Sequence, residues 1–155
     1  MEKKSFMKKA IQCAVDNIDN GGGPFGAVIV KDGEIIAETG NSVTKTNDPT
    51  AHAEVNAIRM AAKKLGTFDL SGCEIYSSCE PCPMCLGAIY WARLDKLHFA
   101  ATKIDAKDAG FDDSFIYDEL ELDYTERSLK TEAMMQKEAL EAFNKWKDFE
   151  EKTEY

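Results

Sequence analysis

The chain has 155 residues, of which 44% are hydrophobic and 30% charged. That is enough for one domain with a real core and too little for two. Its 28 acidic and 19 basic side chains leave a net charge of −9, which repels phosphate backbones and anionic lipid heads and argues against nucleic-acid and membrane partners.

Met7, Ile11, Ala14, Val15 and Ile18 recur at three and four, so about 5–20 reads as an amphipathic helix. Gly21-Gly22-Gly23-Pro24 ends it, since glycines and proline cannot continue a helical ladder. Ala27–Val30 and Ile35–Ala37 flank Lys31-Asp32-Gly33-Glu34, a hairpin whose Asp-Gly tolerates positive φ. Both strands look apolar on both faces, as expected where helices cover the two sides of a sheet. Asp48-Pro49 has the cap and first-turn residues of a second helix, expected to run to Leu65 before Gly66. Glu74–Ser77 reads as a third strand, Pro83 opens a third helix to about Arg93, and Leu97–Ala100 forms a fourth strand. Ser114–Leu120 reads as a short helix, and Glu138, Leu140, Phe143, Trp146 and Phe149 suggest a C-terminal one. Leu129–Met135 reads as a fifth strand or as the start of that last helix. Helices alternating with strands predict a single three-layer α/β/α domain over 1–155, with a mixed central sheet of about five strands.

No apolar run approaches the roughly 18 residues of a membrane span, and the start leads into no apolar signal core. Three of the five cysteines fall within 79–85, a spacing that suits metal or redox chemistry in a reducing cytoplasm better than a disulfide framework. His52-Ala53-Glu54 followed by Pro81-Cys82-Pro83-Met84-Cys85 offers one imidazole and two thiolates. Such a set suits a single zinc ion with an open fourth position, whereas a structural zinc needs four protein ligands. His52 and Glu54 lie about 200° apart around a helix, so both face one metal only if it sits off the helix's N-terminal end. Glu54, beside the metal but not bound to it, has the chemistry of the general acid–base: it takes a water's proton and returns it to substrate and leaving group. His-x-Glu…Pro-Cys-x-x-Cys is the signature of zinc-dependent nucleobase deaminases. Competing readings are an iron–sulfur run through Cys79, Cys82 and Cys85, opposed by the lack of a fourth cysteine nearby, and a redox dithiol in Cys79-Glu80-Pro81-Cys82. Cys79 reads as a support or core residue, Cys13 and Cys73 as small buried hydrophobes, and His98 as a hydrogen-bonded histidine within a strand.

The stretches Gly23–Gly33, Asn47–Glu54 and Ser78–Arg93 resemble the cytidine-deaminase-like superfamily. Asp108–Tyr117 and the final Tyr155 are similar to the small bacterial guanine deaminases within it. The resemblance implies hydrolysis of guanine to xanthine and ammonia, with hydroxide attacking carbon 2 while Glu54 protonates the adjacent ring nitrogen and then the departing amine. It also implies a substrate-binding asparagine at Asn41, guanine contacts from Asp113 and Tyr155, and a homodimer whose C-terminal segments, about 130–155, are exchanged so that each closes its neighbour's site. Phe25 and Trp91 are further candidates for apolar or stacking surface around the base. Guanosine and cytosine remain alternative substrates within the same chemistry. A transfer-RNA adenosine deaminase should carry a basic surface to hold an anticodon arm, and the net charge of −9 opposes it. A zinc-stabilised module without turnover is the alternative of a different class.

Overall fold

The computed structural model describes residues 2–155. Two compact units divide the chain, Met1–Ser114 and Phe115–Tyr155. In the first, α1 (Lys3–Asp19) leads into a hairpin of β1 (Gly26–Lys31) and β2 (Glu34–Gly40). Asp32 and Gly33 both take positive φ at its tip (49° and 79°), the tight turn that Asp-Gly predicts. Next come α2 (Val43–Thr46), α3 (Ala53–Leu65), β3 (Cys73–Cys79), α4 (Pro83–Trp91), β4 (Lys96–Ala101) and α5 (Lys103–Asp108).

The sheet has four strands in the order β2-β1-β3-β4. β1 pairs antiparallel with β2 and β3, and β4 runs parallel to β3. Because successive strand residues face opposite sides, Ala27, Ile29 and Ile75 pack with Ala53, Ala57, Ala61 and Ile89 of α3 and α4. Val28, Val30 and Tyr76 pack with Phe6 and Ala10 of α1. The result is the expected α/β/α layering with a mixed sheet. β1 is buried on both faces as its sequence predicts, whereas β2, an edge strand, is only partly covered. His98 stacks on Tyr76, with ring centroids 4.3 Å apart, and its Nε2 lies 2.7 Å from Glu74 Oε2; that hydrogen bond holds the Glu74 carboxyl below its ordinary range.

Two sequence expectations are corrected. The fifth strand over Leu129–Met135 does not form: the segment pairs with no strand among the described residues, and Met135 sits at φ 56°. A strand is stabilised by the ladder its neighbours supply, so apolar residues alone do not make one. The second helix begins at Ala53 rather than at Asp48-Pro49, because Asp48 Oδ1 accepts hydrogen bonds from Thr50 N (2.9 Å) and Thr50 Oγ1 (2.6 Å). That local turn competes with helix over these residues.

α6 (Ser114–Glu121) begins at the last residue of the first unit; in the second unit it leads to a 3-10 turn at Tyr124–Glu126, and α7 spans Gln136–Asp148. The Glu119 carboxylate accepts from Ser128 N at 2.9 Å, and the Glu119 carbonyl accepts from Arg127 Nε at 3.1 Å. No residue from Phe115 to Tyr155 is buried; Leu140, Phe143, Trp146 and Phe149 of the C-terminal helix region are exposed.

The closest constraint between α1 and the sheet is Gly26, where a Cβ would fall 2.2 Å from Ala10 O and 2.7 Å from Ala14 N. Gly26→Ala therefore pushes a helix off the sheet, and chemical denaturation should show a loss of about 2–3 kcal/mol.

Candidate active site

Two helix N-termini build the site. His52 caps α3 in an extended conformation (φ −69°, ψ 156°), and Cys82 caps α4 in the same way (φ −66°, ψ 169°). Thr39 Oγ1 donates to Ala53 O at 2.7 Å, tying the start of α3 to β2. Pro83 in the first turn of α4 lacks a donor where none is required. Since His52 stands just outside the helix, its side chain is free of the helical spacing that would send it away from Glu54, and both reach one point off the helix end.

At that point His52 Nδ1 lies 3.6 Å from Cys82 Sγ and 3.5 Å from Cys85 Sγ. The three donor atoms all lie within 4.8 Å of one another. Zinc–nitrogen and zinc–sulfur bonds of about 2.0–2.1 and 2.3 Å at a tetrahedral angle give a nitrogen–sulfur separation of about 3.6 Å. The donors thus fit a tetrahedral zinc, with one position left over. No cysteine is disulfide-bonded. The Cys85 backbone N–H donates to Cys82 Sγ at 3.4 Å. The Cys85 thiol beside it, with His52, holds Cys82 down to about 4, while the Cys82 thiolate and burial push Cys85 far up. The Cys82 hydrogen bond raises His52.

Glu54 is 6% exposed and lines a cavity of about 480 Å³ together with His52 and Cys82. Burial pushes its carboxyl up, partly opposed by a hydrogen bond from Cys85, so Glu54 is poised to hold a proton as well as to release one. Asn41, Phe25 and Asp113 line the same cavity. Asn41 Oδ1 accepts from Val43 N at 3.1 Å, which leaves its NH2 group to serve as a donor. Asp113 Oδ1 is buried without a hydrogen-bond partner, and burial raises its pKa. An orphaned buried acceptor is costly unless a ligand satisfies it. Phe25 meets Phe111 edge-on with centroids 5.0 Å apart.

One expected residue is absent from the cavity wall. Trp91 does not line the cavity; it ends α4, at the opposite end from Cys82, 64% exposed and with the Arg93 guanidinium 5.9 Å from its ring. Tyr155 lies in the second unit and is 75% exposed. The structure adds Glu80, Gly22 and Gly23 to the cavity wall. Glu80 Oε1 accepts from Lys103 N at 3.1 Å. Its place between Cys79 and Cys82 was the sequence signal for it, while the glycines read only as a helix stop. Cys79 also lines the cavity, where burial lifts its thiol to about 11.

A three-donor metal site with an attendant buried carboxylate, over an α/β/α sheet, defines the class of zinc-dependent hydrolases. Comparison with known proteins narrows it. Residues 1–101 match the cytidine and deoxycytidylate deaminase zinc-binding region, and the chain belongs to that family. It is 54% identical to the guanine deaminase of Bacillus subtilis over 156 aligned positions, covering all of both chains. The crystal structure of the guanine deaminase from Bacillus subtilis superposes with a TM-score of 0.98 over 100% of this chain and 99% of that one. The transfer-RNA-specific adenosine deaminase of Aquifex aeolicus is 46% identical over 71% of this chain and 72% of its own. The guanine deaminase of Nitrosomonas europaea superposes at TM-score 0.70, with 32% identity over 91% of this chain and 72% of that one.

Elemental analysis of purified protein should find one zinc per chain. Cys85→Ala should weaken metal retention at least about a hundredfold, and iron with inorganic sulfide in place of zinc would contradict the site described.

Proposed function

We infer that the protein is a guanine deaminase, hydrolysing guanine to xanthine and ammonia. The observation that carries this reading is the extent of the similarity: identity to a guanine deaminase spans the whole chain, second unit included, whereas the match to the transfer-RNA enzyme covers 71% of it. The net charge of −9 also disfavours a polyanionic RNA substrate.

His52, Cys82 and Cys85 would hold the zinc. When bound, the metal acidifies a water to a pKa near 7, so that hydroxide is available at neutral pH. Glu54 would take one proton from the attacking water and deliver it to the ring nitrogen beside carbon 2 as the water oxygen bonds to that carbon. It would then take the second proton from the new hydroxyl and give it to the amino group, which leaves as ammonia when the carbon–nitrogen bond breaks and the carbonyl forms. The dry setting that raises its pKa suits it to both halves of this cycle. Asp113 supplies the acceptor: guanine presents ring N–H and amino donors, and the unpartnered Oδ1 is the kind of group that such donors satisfy. The Asn41 NH2 group complements a purine oxygen or ring nitrogen, and Phe25 offers an apolar wall. Tyr155 is assigned to the substrate on the family resemblance. Trp91 lies outside the cavity wall and carries no role in this scheme.

The same reading assigns a homodimer with the segment from about 130 to 155 exchanged. The second unit buries none of its own side chains while displaying Phe143, Trp146 and Phe149, a surface that a second copy would cover. All five cysteines are free, which suits a reducing cytoplasm; among the described residues no helix is long and apolar enough to cross a membrane.

Ammonia release by the zinc-loaded protein, tested on guanine, guanosine, cytosine, adenine and an anticodon hairpin, decides the substrate. Guanine should dominate, with xanthine as product, and preferential turnover of any other substrate would overturn the reading. Glu54→Gln should retain zinc and fold while losing about 10²–10⁴-fold in turnover. Sedimentation should give a dimer, and deletion of residues 150–155 should lower guanine turnover with zinc content unchanged. Full activity after that deletion would remove the tail from the site.

A further inference from the structure

Asn17 lies in the last turn of α1 and does not itself line the cavity, yet it is 8% exposed and fully engaged. Its Nδ2 donates to Gly23 O and to Asn41 O, both at 2.7 Å. Its Oδ1 accepts from Lys45 Nζ at 3.4 Å, and its backbone carbonyl accepts from Gly22 N at 2.9 Å. Gly22, Gly23 and Asn41 are three neighbouring parts of the cavity wall, and one side-chain amide with its own carbonyl connects them all.

The surrounding glycines show how closely this contact is built. A Cβ at Gly22 would lie 2.2 Å from Asn17 Nδ2, and one at Gly40 would lie 2.6 Å from Asn17 Cγ. Neither glycine is among those with positive φ, so what requires glycine there is the approach of the amide rather than the backbone conformation. The same loop is held from its other side by Asn56, whose Nδ2 donates to Gly40 O and Ser42 Oγ, both at 3.0 Å. Asn41 therefore sits between two amides, one from α1 and one from α3, with its own Oδ1 fixed on Val43 N.

We propose that Asn17 is a positioning residue for substrate recognition: it clamps Asn41 against the Gly22–Gly23 loop, so that the Asn41 NH2 group is aimed at the bound base before the base arrives. The proposal rests on the reading of this cavity as a nucleobase site. It touches neither the metal donors nor Glu54, so it separates binding from chemistry. An amide is needed because two carbonyls face it at once: a carboxylate has no donors for them, and a hydroxyl has one.

Asn17→Asp preserves the shape and removes both donors, and Asn17→Ala removes the side chain. In each, KM for the accepted base should rise about tenfold, the scale of a lost hydrogen bond to substrate together with the preorganisation that made it. Zinc should stay at one per chain, and kcat should stay within about threefold because the proton-transfer group is undisturbed. A purely structural role would instead lower kcat and zinc content together at constant KM, and that result overturns the proposal. Should both variants fail to fold, Lys45→Met provides the test. Lys45 is exposed and its ammonium donates the hydrogen bond that orients the Asn17 amide, so KM should rise about twofold; an unchanged KM overturns the proposal. All KM values are measured on whichever base the unmodified protein prefers. A protein that rejects guanine would then refute the substrate assignment, while the variants still report on Asn17.

Discussion

The site depends on two helices ending at the same place. α3 and α4 approach from the same side of the sheet, and each is capped by the residue that carries a metal donor, His52 on one and Cys82 on the other. A cap residue has extended backbone angles, so its side chain leaves the helix axis instead of following the helical spiral. The same ends bring unpaired backbone N–H groups and partial positive charge, which favour thiolate over thiol. Glu54, buried in the first turn of α3, is placed by the same geometry. Were either helix to start one turn earlier, the donors would not converge.

Much of this was legible in the sequence. His52, Glu54, Cys82 and Cys85 carry residue types with narrow chemistry at a spacing that few arrangements explain, and Asp32-Gly33 encodes its turn locally. The start of α3 was misplaced because Asp48-Pro49 satisfies the rules for a helix cap and for a turn equally well, and the Thr50 hydrogen bonds to Asp48 tip the choice toward the turn. The fifth strand failed for a different reason: strand pairing is decided by a distant partner, and Leu129–Met135 carries no trace of whether one exists. The short helices α2 and α5 lack the two full turns over which periodicity becomes visible. Asn17 was the least legible. A lone asparagine near a helix end reads as a cap or turn residue, and only the folded chain shows that it reaches a loop and a strand end at once.

Glycine served two separate purposes that the sequence does not distinguish. At Gly33 it provides a backbone conformation, with φ at 79°. At Gly22, Gly26 and Gly40 it provides the absence of a side chain, so that an amide or a helix backbone comes within contact distance. The first use tolerates asparagine or aspartate, as Asp32 in the same turn shows; the second tolerates nothing larger than hydrogen without movement of the neighbouring element.

The division of the chain at Ser114 bears on how the protein is made. Both helix caps, all five cysteines and every residue of the cavity wall lie in Met1–Ser114. Compact units tend to fold in the order in which they are synthesised, at about 5–20 residues per second. Every residue that would hold the ion is therefore in the chain roughly two to eight seconds before synthesis reaches the last residue. The donor thiols and the imidazole thus come from one continuous stretch of chain that is complete before any of the second unit's residues are added, and the exposed Phe143 and Trp146 of α7 are among the last residues to be made.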